Sequence, residues 1–205
     1  MSMGNVGDLF GIFGVQALYL TSGWIWLAFW LLWLVWGPIT TRQRPMTKGQ
    51  QGISPAVLVG VIIVAVIYFE PHFRAHLQFR ALWPGYALAE GAGFLLELLG
   101  LALALWARCC LGSFWSSAAV MREGHRVVDT GPYRLVRHPI YSGILLASLG
   151  TFLIAGSTLS LAILAATAVI FGWKIQAEER LLTTELGEDY VNYRRRTRRL
   201  IPWLM

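Results

Sequence analysis

The stretch PIYSGILLASLGTFLIAGSTLSLAILAATAVIFGW, residues 139 to 173, contains no Asp, Glu, Lys or Arg. A bilayer core accepts roughly 20 residues of helix. As one helix, at about 1.5 Å per residue, the stretch would be on the order of 50 Å long, well past the hydrocarbon thickness. Gly156-Ser157-Thr158 falls near its middle and supplies a break. The expected structure is therefore a membrane hairpin of two short antiparallel helices.

Working outward, three more apolar runs precede it. No charge occurs from Leu9 to Thr41, and the first span is expected near Val15 to Trp36. A second run covers Ile53 to Phe69, and a third, Gly85 to Ala107, is apolar apart from Glu90 and Glu97. With the hairpin this gives about five transmembrane helices. Composition agrees: of 205 residues, 56% are hydrophobic, only 14% are charged and ten are tryptophan. A soluble chain of this length could not bury that much apolar surface, so the expected fold class is an all-α integral membrane protein. The opening MSMGNVGDLFG lacks a basic n-region, so the first run is expected to stay as a span.

The basic residues set the expected orientation. Arg42, Arg44 and Lys48 follow the first span; Arg108, Arg122, Arg126, Arg134 and Arg137 separate the third from the fourth; Lys174, Arg180, Arg194, Arg195, Arg196, Arg198 and Arg199 lie in the tail. With five spans these segments share one side and hold 15 of the 17 Lys and Arg residues. The positive-inside rule then places the C-terminus in the cytoplasm and the N-terminus outside, in the inner or plasma membrane. The net charge of +6 is a topology signal, and no nucleic-acid partner is expected.

Within the spans, several side chains call for a reading. Trp24, Trp26, Phe29, Trp30, Trp33 and Trp36 crowd the first one and are expected as interfacial anchors and lipid-facing bulk. Gly143, Ala147 and Gly150 or Thr151 form a small-residue stripe that lets a helix or a ligand approach the backbone. Glu97, with Glu90 on the same helix face, is a candidate for a substrate contact or a structural polar role, because an acid inside the bilayer is costly. Cys109 and Cys110 have no metal-ligand spacing and read as small apolar fillers at a helix end, with reversible palmitoylation as the alternative. No metal is expected.

Two polar pieces flank the hairpin. Residues 108 to 138, RCCLGSFWSSAAVMREGHRVVDTGPYRLVRH, are too apolar and aromatic for a disordered loop; Gly124, Gly131 and Pro132 read as turns, and HRVVDTGPY as short extended structure. A folded cap against the cytoplasmic mouth of the bundle fits better. In the tail, Lys174 to Leu186 suits a helix leaving the membrane, Gly187 a stop or kink, and Tyr190 and Tyr193 a following turn or short helix.

These pieces carry a resemblance. LGSFWS (Leu111 to Ser116), GHRVVDTGPYRLVRHPIYSG (Gly124 to Gly143), the pair Glu178-Glu179 and GEDYVNYRRRTRRLIPW (Gly187 to Trp203), in that order, resemble the isoprenylcysteine carboxyl methyltransferase family and the related prokaryotic membrane and phospholipid methyltransferases. The match covers roughly the C-terminal half. It divides the chain into a three-span region, 1–107, and a methyltransferase core, 108–205, made of cap loop, two-helix hairpin and tail. The resemblance implies a cytoplasmic cap that binds S-adenosylmethionine. It assigns cofactor contact to His125, Val128, Gly131, Tyr133, His138, Pro139 and Tyr141, with Arg137 as a neighbour open to lipid headgroups instead. Glu178 or Glu179 would contact the cofactor or position the cap. Arg196 would lie near the reacting groups, so Arg196 and Glu179 are the expected catalytic pair, and Arg196 and Glu97 the substrate contacts.

The chemistry of the residues is compatible. S-adenosylmethionine brings an already activated methyl group, so the protein has to bind, orient and exclude water. A carboxylate acceptor is ionised at neutral pH and needs no base; Arg196 would hold it bidentately in line with the methyl. An amine acceptor needs one, and His138 or a glutamate would serve. The expected acceptor is lipophilic and enters from the bilayer: a prenylated cysteine, an isoprenoid-like acid or a lipid amine. Two other classes stay open, a membrane reductase using NADPH, related to sterol reductases, and a non-enzymatic membrane scaffold.

Overall fold

The computed structural model describes residues 6–41, 46–49, 82, 87–115, 120–122, 124 and 126–201. Among these, five α-helices carry the architecture: α1 (Val6–Thr41), α2 (Ala87–Leu111), α3 (Pro139–Ala155), α4 (Thr158–Leu186) and α5 (Glu188–Arg196). Stretches of α1, α2 and α4 are long and apolar enough to cross a membrane, and α3 is a shorter apolar helix of 17 residues. The protein is an integral membrane protein. The expected second span, Ile53 to Phe69, lies outside the described residues. One departure from an all-α fold is a short antiparallel pair, β1 (Met46–Gly49) with β2 (Val120–Arg122), which joins the segments that follow α1 and α2.

The hairpin breaks where expected, but only one of its helices is short. Gly156 closes α3 with φ +57°, a left-handed conformation that suits glycine, and its N–H donates to the Phe152 carbonyl. Ser157 then opens α4 through a reciprocal capping box with Ser160, each side chain accepting from the other's backbone N–H at 3.2 Å. From there α4 runs 29 residues without interruption, joining the second half of the apolar stretch to the polar Lys174–Leu186 segment. Nothing in Lys174-Ile175-Gln176-Ala177 stops a helix. Gly187 does, at φ +54°.

Glycine sets how closely α2 and α3 pack. Gly93 faces Gly150, and Gly100 faces Gly143 and Ala147, so the helices run antiparallel. A Cβ at Gly93, Gly100, Gly143 or Gly150 would meet backbone atoms of the other helix at under 3.0 Å. The small-residue stripe of α3 is thus answered by a second stripe on α2. Lipid tails are as apolar as Leu, so this backbone approach, through van der Waals contact, takes the place of a hydrophobic drive.

Along α1, the aromatic residues face inward, against expectation. Trp26, Phe29, Trp30 and Trp33 are all buried, and among the described aromatic side chains of α1 only Trp24 is widely exposed, at 70%. Their rings form a continuous ladder that reaches Trp115 after α2. Ser22 meets Glu97 and, three turns on, Trp33 meets Arg108, so α1 and α2 are parallel. The spacing at 26, 29, 30 and 33 is a helix face. On that face Trp26 Nε1 donates to Thr151 Oγ1 at 2.8 Å, while the buried Trp30 and Trp33 indoles are held by ring packing and have no hydrogen-bond partner among the described residues.

Candidate functional site

The polar side chains of the hairpin gather at one end of the bundle, where α3 begins and α4 leaves. On α4 the buried residues are Thr167, Phe171, Ile175 and Glu179, one per turn, so a single stripe carries the carboxylate of Glu179 inward under its own apolar predecessors. On α3 the chain enters helix at Pro139, with His138 as its cap residue and Tyr141 in the first turn. Tyr141 packs on Phe171 with ring centres 4.7 Å apart, which fixes the register of the two helices.

Glu179 is the centre of the cluster. Arg137 Nε donates to its Oε1 at 2.8 Å, and Arg199 reaches Oε2 through Nε at 3.2 Å and Nη2 at 3.0 Å. The adjacent Glu178 accepts from Tyr141 Oη at 2.6 Å and lies 3.5 Å from Lys174 Nζ. His138 sits between the two acids. Its ring stacks over Tyr141, with Nδ1 3.7 Å from Glu178 and Nε2 3.4 Å from Glu179. The first distance is too long for a hydrogen bond, and the second lacks the alignment of one, which leaves buried Nε2 without a hydrogen-bond partner.

The tail folds back over this cluster as a strap. Arg137 N–H donates to the Arg198 carbonyl at 2.7 Å, His138 N–H to the Arg199 carbonyl at 3.1 Å, and Arg198 N–H to the Leu135 carbonyl at 3.1 Å. Ser142 Oγ adds a bond to the Leu200 carbonyl, and Arg137 Nη1 one to the Thr197 carbonyl, both at 2.5 Å. Two buried tyrosines of α5 press inward beneath the strap. Tyr193 Oη donates to the Tyr133 carbonyl at 2.8 Å. Burial pushes the hydroxyls of Tyr133, Tyr190 and Tyr193 up from the usual phenol range, so all three are neutral donors.

The structure brings together His138, Pro139, Tyr141, Glu178 and Glu179, with Tyr133 buried beside them. Val128 packs half-buried against the core. Gly131, at φ +57°, lies over Cys110 and Trp106, and a Cβ there would sit 2.6 Å from the Cys110 Sγ. His125 lies outside the described residues. Arg137 points inward onto Glu179, not to headgroups. Arg196 is exposed, pairs with Asp129 at 3.0 Å and lines an outer groove of about 460 Å³ with Arg126, Asp189 and Asn192. Glu97 belongs to a different place, deep between α1, α2 and α3, where Ser22 Oγ and Thr151 Oγ1 donate to Oε2 at 2.7 and 2.9 Å.

Arg199, Lys174, Tyr190 and Arg108 were not singled out from sequence. Lys174 was within reach, since a Lys four residues before Glu178 shares its helix face. Arg199 is one of five arginines in six residues, and spacing cannot say which turns in. Arg108, counted above as a loop charge, is buried with its guanidinium 3.3 Å from the Trp115 ring centre and 5.1 and 5.6 Å from those of Trp33 and Trp36.

Chemically, the cluster suits a small zwitterionic ligand with an aromatic part. Two carboxylates, three cations and an imidazole lie within a few ångströms, beside the rings of Tyr133 and Tyr141. Two buried polar atoms, His138 Nε2 and Tyr190 Oη, lack a hydrogen-bond partner, and an orphan of this kind asks for a ligand or a water. The amino-acid and adenine ends of S-adenosylmethionine have this chemistry, so the residues present fit it.

Residues 93–184 match the family model "Isoprenylcysteine carboxyl methyltransferase (ICMT) family". Protein-S-isoprenylcysteine O-methyltransferase B of Arabidopsis thaliana is 30% identical over 154 residues, covering 73% of each chain. The nickel-cobalt-cadmium resistance protein NccN of Alcaligenes xylosoxydans xylosoxydans is 29% identical over 161 residues, 78% of this chain and 67% of NccN. Among solved structures, a eukaryotic intramembrane Ras methyltransferase aligns over 72% of this chain at a TM-score of 0.52 and 26% identity; the present chain spans 50% of its length. Matched at 30% identity over 73% of both its own length and that of the Arabidopsis relative, this protein belongs to the isoprenylcysteine carboxyl methyltransferase family.

Proposed function

We propose that the protein is an S-adenosylmethionine-dependent methyltransferase that methylates a lipophilic acceptor at the cytoplasmic face of the membrane. The carrying observation is the charge-matched cluster around Glu179, placed where the hairpin meets the polar strap. A water-soluble cofactor and a bilayer-borne acceptor would meet at such a boundary. On this reading His138, Tyr141, Glu178 and Glu179 hold the cofactor, with Tyr133, Pro139, Gly131 and Val128 shaping its seat and His125 joining them on the strength of the resemblance. The cofactor, when bound, supplies an activated methyl on a cationic sulfonium. The protein's part is to fix geometry and keep water out: Arg137 and Arg199 lock Glu179, and the strap covers the cluster.

The state of the acids favours oxygen methylation of a carboxylate, as on a prenylated cysteine or an isoprenoid-like acid. Both Glu179 oxygens are held by guanidinium groups, so Glu179 is not free to take a proton. A carboxylate acceptor asks for none. A lipid amine would, and His138 Nε2 is then the atom placed for it. Arg199, not Arg196, is the tail arginine on Glu179, and Arg196→Ala is expected to be the milder change.

The test is calorimetric titration of S-adenosylmethionine, with NADPH as control, into detergent-purified wild type and His138→Ala. Binding of S-adenosylmethionine in the micromolar range, about −8 kcal/mol, is expected for wild type and at least tenfold weaker for the variant. A folded wild type that binds NADPH and not S-adenosylmethionine would replace this reading with the reductase. Binding of neither would leave the scaffold.

A further inference from the structure

Tyr190 and Tyr193 are neighbours on α5 with ring centres 5.9 Å apart, both 3% exposed, yet they are treated differently by their surroundings. The Tyr193 hydroxyl is spent on the Tyr133 carbonyl, a bond that ties α5 to the cap. The Tyr190 hydroxyl is equally enclosed and has no hydrogen-bond partner. A buried phenol almost always finds one, because leaving the O–H unbonded forfeits its hydration for nothing. If burial were the whole purpose, phenylalanine would fit better.

The surroundings indicate what the hydroxyl is kept for. Tyr190 lies one helical turn before Arg194, whose carbonyl accepts from Arg137 Nη1 at 3.3 Å, and Arg137 in turn holds Glu179. Glu179 and Arg137 are also the charges that act most strongly on its hydroxyl. The second orphan, His138 Nε2, is 3.4 Å from Glu179 on the same cluster. One unpartnered polar atom thus lies beside the Glu179 carboxylate, whose own oxygens are already engaged, and the other lies within reach of its charge. A ligand completing both would bring charged donors and acceptors close together, which is the character of an α-amino acid and not of a nucleoside.

We propose that Tyr190 is a cofactor-binding residue, its hydroxyl hydrogen-bonding the amino-acid end of the cofactor beside His138 and Glu179. The assignment rests on the reading of the protein as an S-adenosylmethionine-dependent enzyme. It makes α5 part of the binding site, where Tyr193 is only a strut.

Tyr190→Phe and Tyr193→Phe, each lacking one oxygen, test it in the full-length detergent-solubilised protein. Without ligand, Tyr190→Phe is expected to melt at or above the wild-type temperature, since it removes an unsatisfied group, and Tyr193→Phe below it, since it breaks a bond. Two probes are then titrated: S-adenosylhomocysteine, which carries the amino-acid end, and 5′-methylthioadenosine, which lacks it. Tyr190→Phe is expected to bind the first about tenfold more weakly and the second unchanged, the size of one hydrogen bond to a charged group. Equal loss for both probes, or loss for neither, overturns the assignment while wild-type binding upholds the enzyme reading. A wild type that binds neither probe removes that reading, and this inference with it.

Discussion

Glu97 and Glu179 are both almost completely enclosed, at 0% and 4% exposure, yet the chain provides for them by opposite means. Around Glu97 every described donor is neutral: Ser22 and Thr151 hydroxyls on one oxygen, with Trp26 bonded to Thr151 behind them. Around Glu179 the donors are two guanidinium groups, with an imidazole close by. Neutral hydroxyls hold one oxygen of the carboxyl without bringing a second charge into the bilayer, where each ion is expensive, and the other oxygen, Oε1, has no partner among the described residues. Guanidinium groups compensate a full negative charge, and they are affordable only where the strap and the aqueous face are near. The intramembrane acid is thus held by neutral groups within the bundle, and on the proposed reading the acid at its end serves a ligand. Same residue type, different work.

The sharpest way to break this contrast is at Glu179. Glu179→Ala leaves Arg137, 9% exposed, facing a void with its charge uncompensated, and removing one partner of a buried pair costs about 3–5 kcal/mol. A fall in melting temperature together with loss of detectable S-adenosylmethionine binding is expected. Retained affinity in a folded Glu179→Ala protein would show that the cluster is an architectural lock and that the cofactor lies elsewhere, for example in the outer groove lined by Arg126 and Arg196.

Next in size is the seam that holds both regions in one bundle. Gly100→Ala would push its new Cβ into the backbone of Gly143 and Ala147, and overpacking of this kind costs about 1–3 kcal/mol. Gly172→Ala on α4 is the control, because nothing lies within 4 Å of its Cβ position, and alanine favours helix over glycine by up to about 1 kcal/mol. Thermal unfolding in detergent should move down for the first and stay level or rise for the second. If Gly100→Ala were as harmless as Gly172→Ala, close backbone contact between α2 and α3 would not be what holds them.

Much of this was legible in the sequence, and the failures are instructive. The hairpin break was readable because Gly156-Ser157 interrupts an uncharged run too long for one helix. The polar cluster was readable because RHPIY and the Glu178-Glu179 pair flank that run at both ends. Three expectations fail, the first because in a membrane apolar periodicity does not distinguish a lipid-facing stripe from a core-facing one. Trp26, Trp30 and Trp33 were taken for lipid-facing bulk and are core. Arg108 was taken for a topology charge and is caged by indoles. The continuation of α4 past Trp173 was divided between two elements because charge enters at Lys174, although helix hydrogen bonding is indifferent to that change. Which of the tail arginines turns inward depends on the path of the strap, set by backbone pairing between Leu135–His138 and Arg198–Arg199, and no local pattern encodes it.

The smallest predicted effect concerns Glu97, and it sharpens the comparison most. Glu97→Gln keeps a carbonyl oxygen for the Ser22 and Thr151 hydroxyls and changes only charge capacity, so a stability change within about 1 kcal/mol is expected, with S-adenosylmethionine affinity unaltered. Glu97→Leu, which removes the acceptor, strands both hydroxyls and should cost about 1–3 kcal/mol, again without touching affinity. Measured together by melting in detergent and by calorimetry, the two variants separate hydrogen bonding from charge at this position. Should Glu97→Gln weaken cofactor binding or abolish turnover, the neutral-donor argument fails: the carboxylate would be needed as an ion in mid-membrane, and Glu97 would have to be counted with the substrate path, not with the scaffold that Ser22, Trp26 and Thr151 build around it.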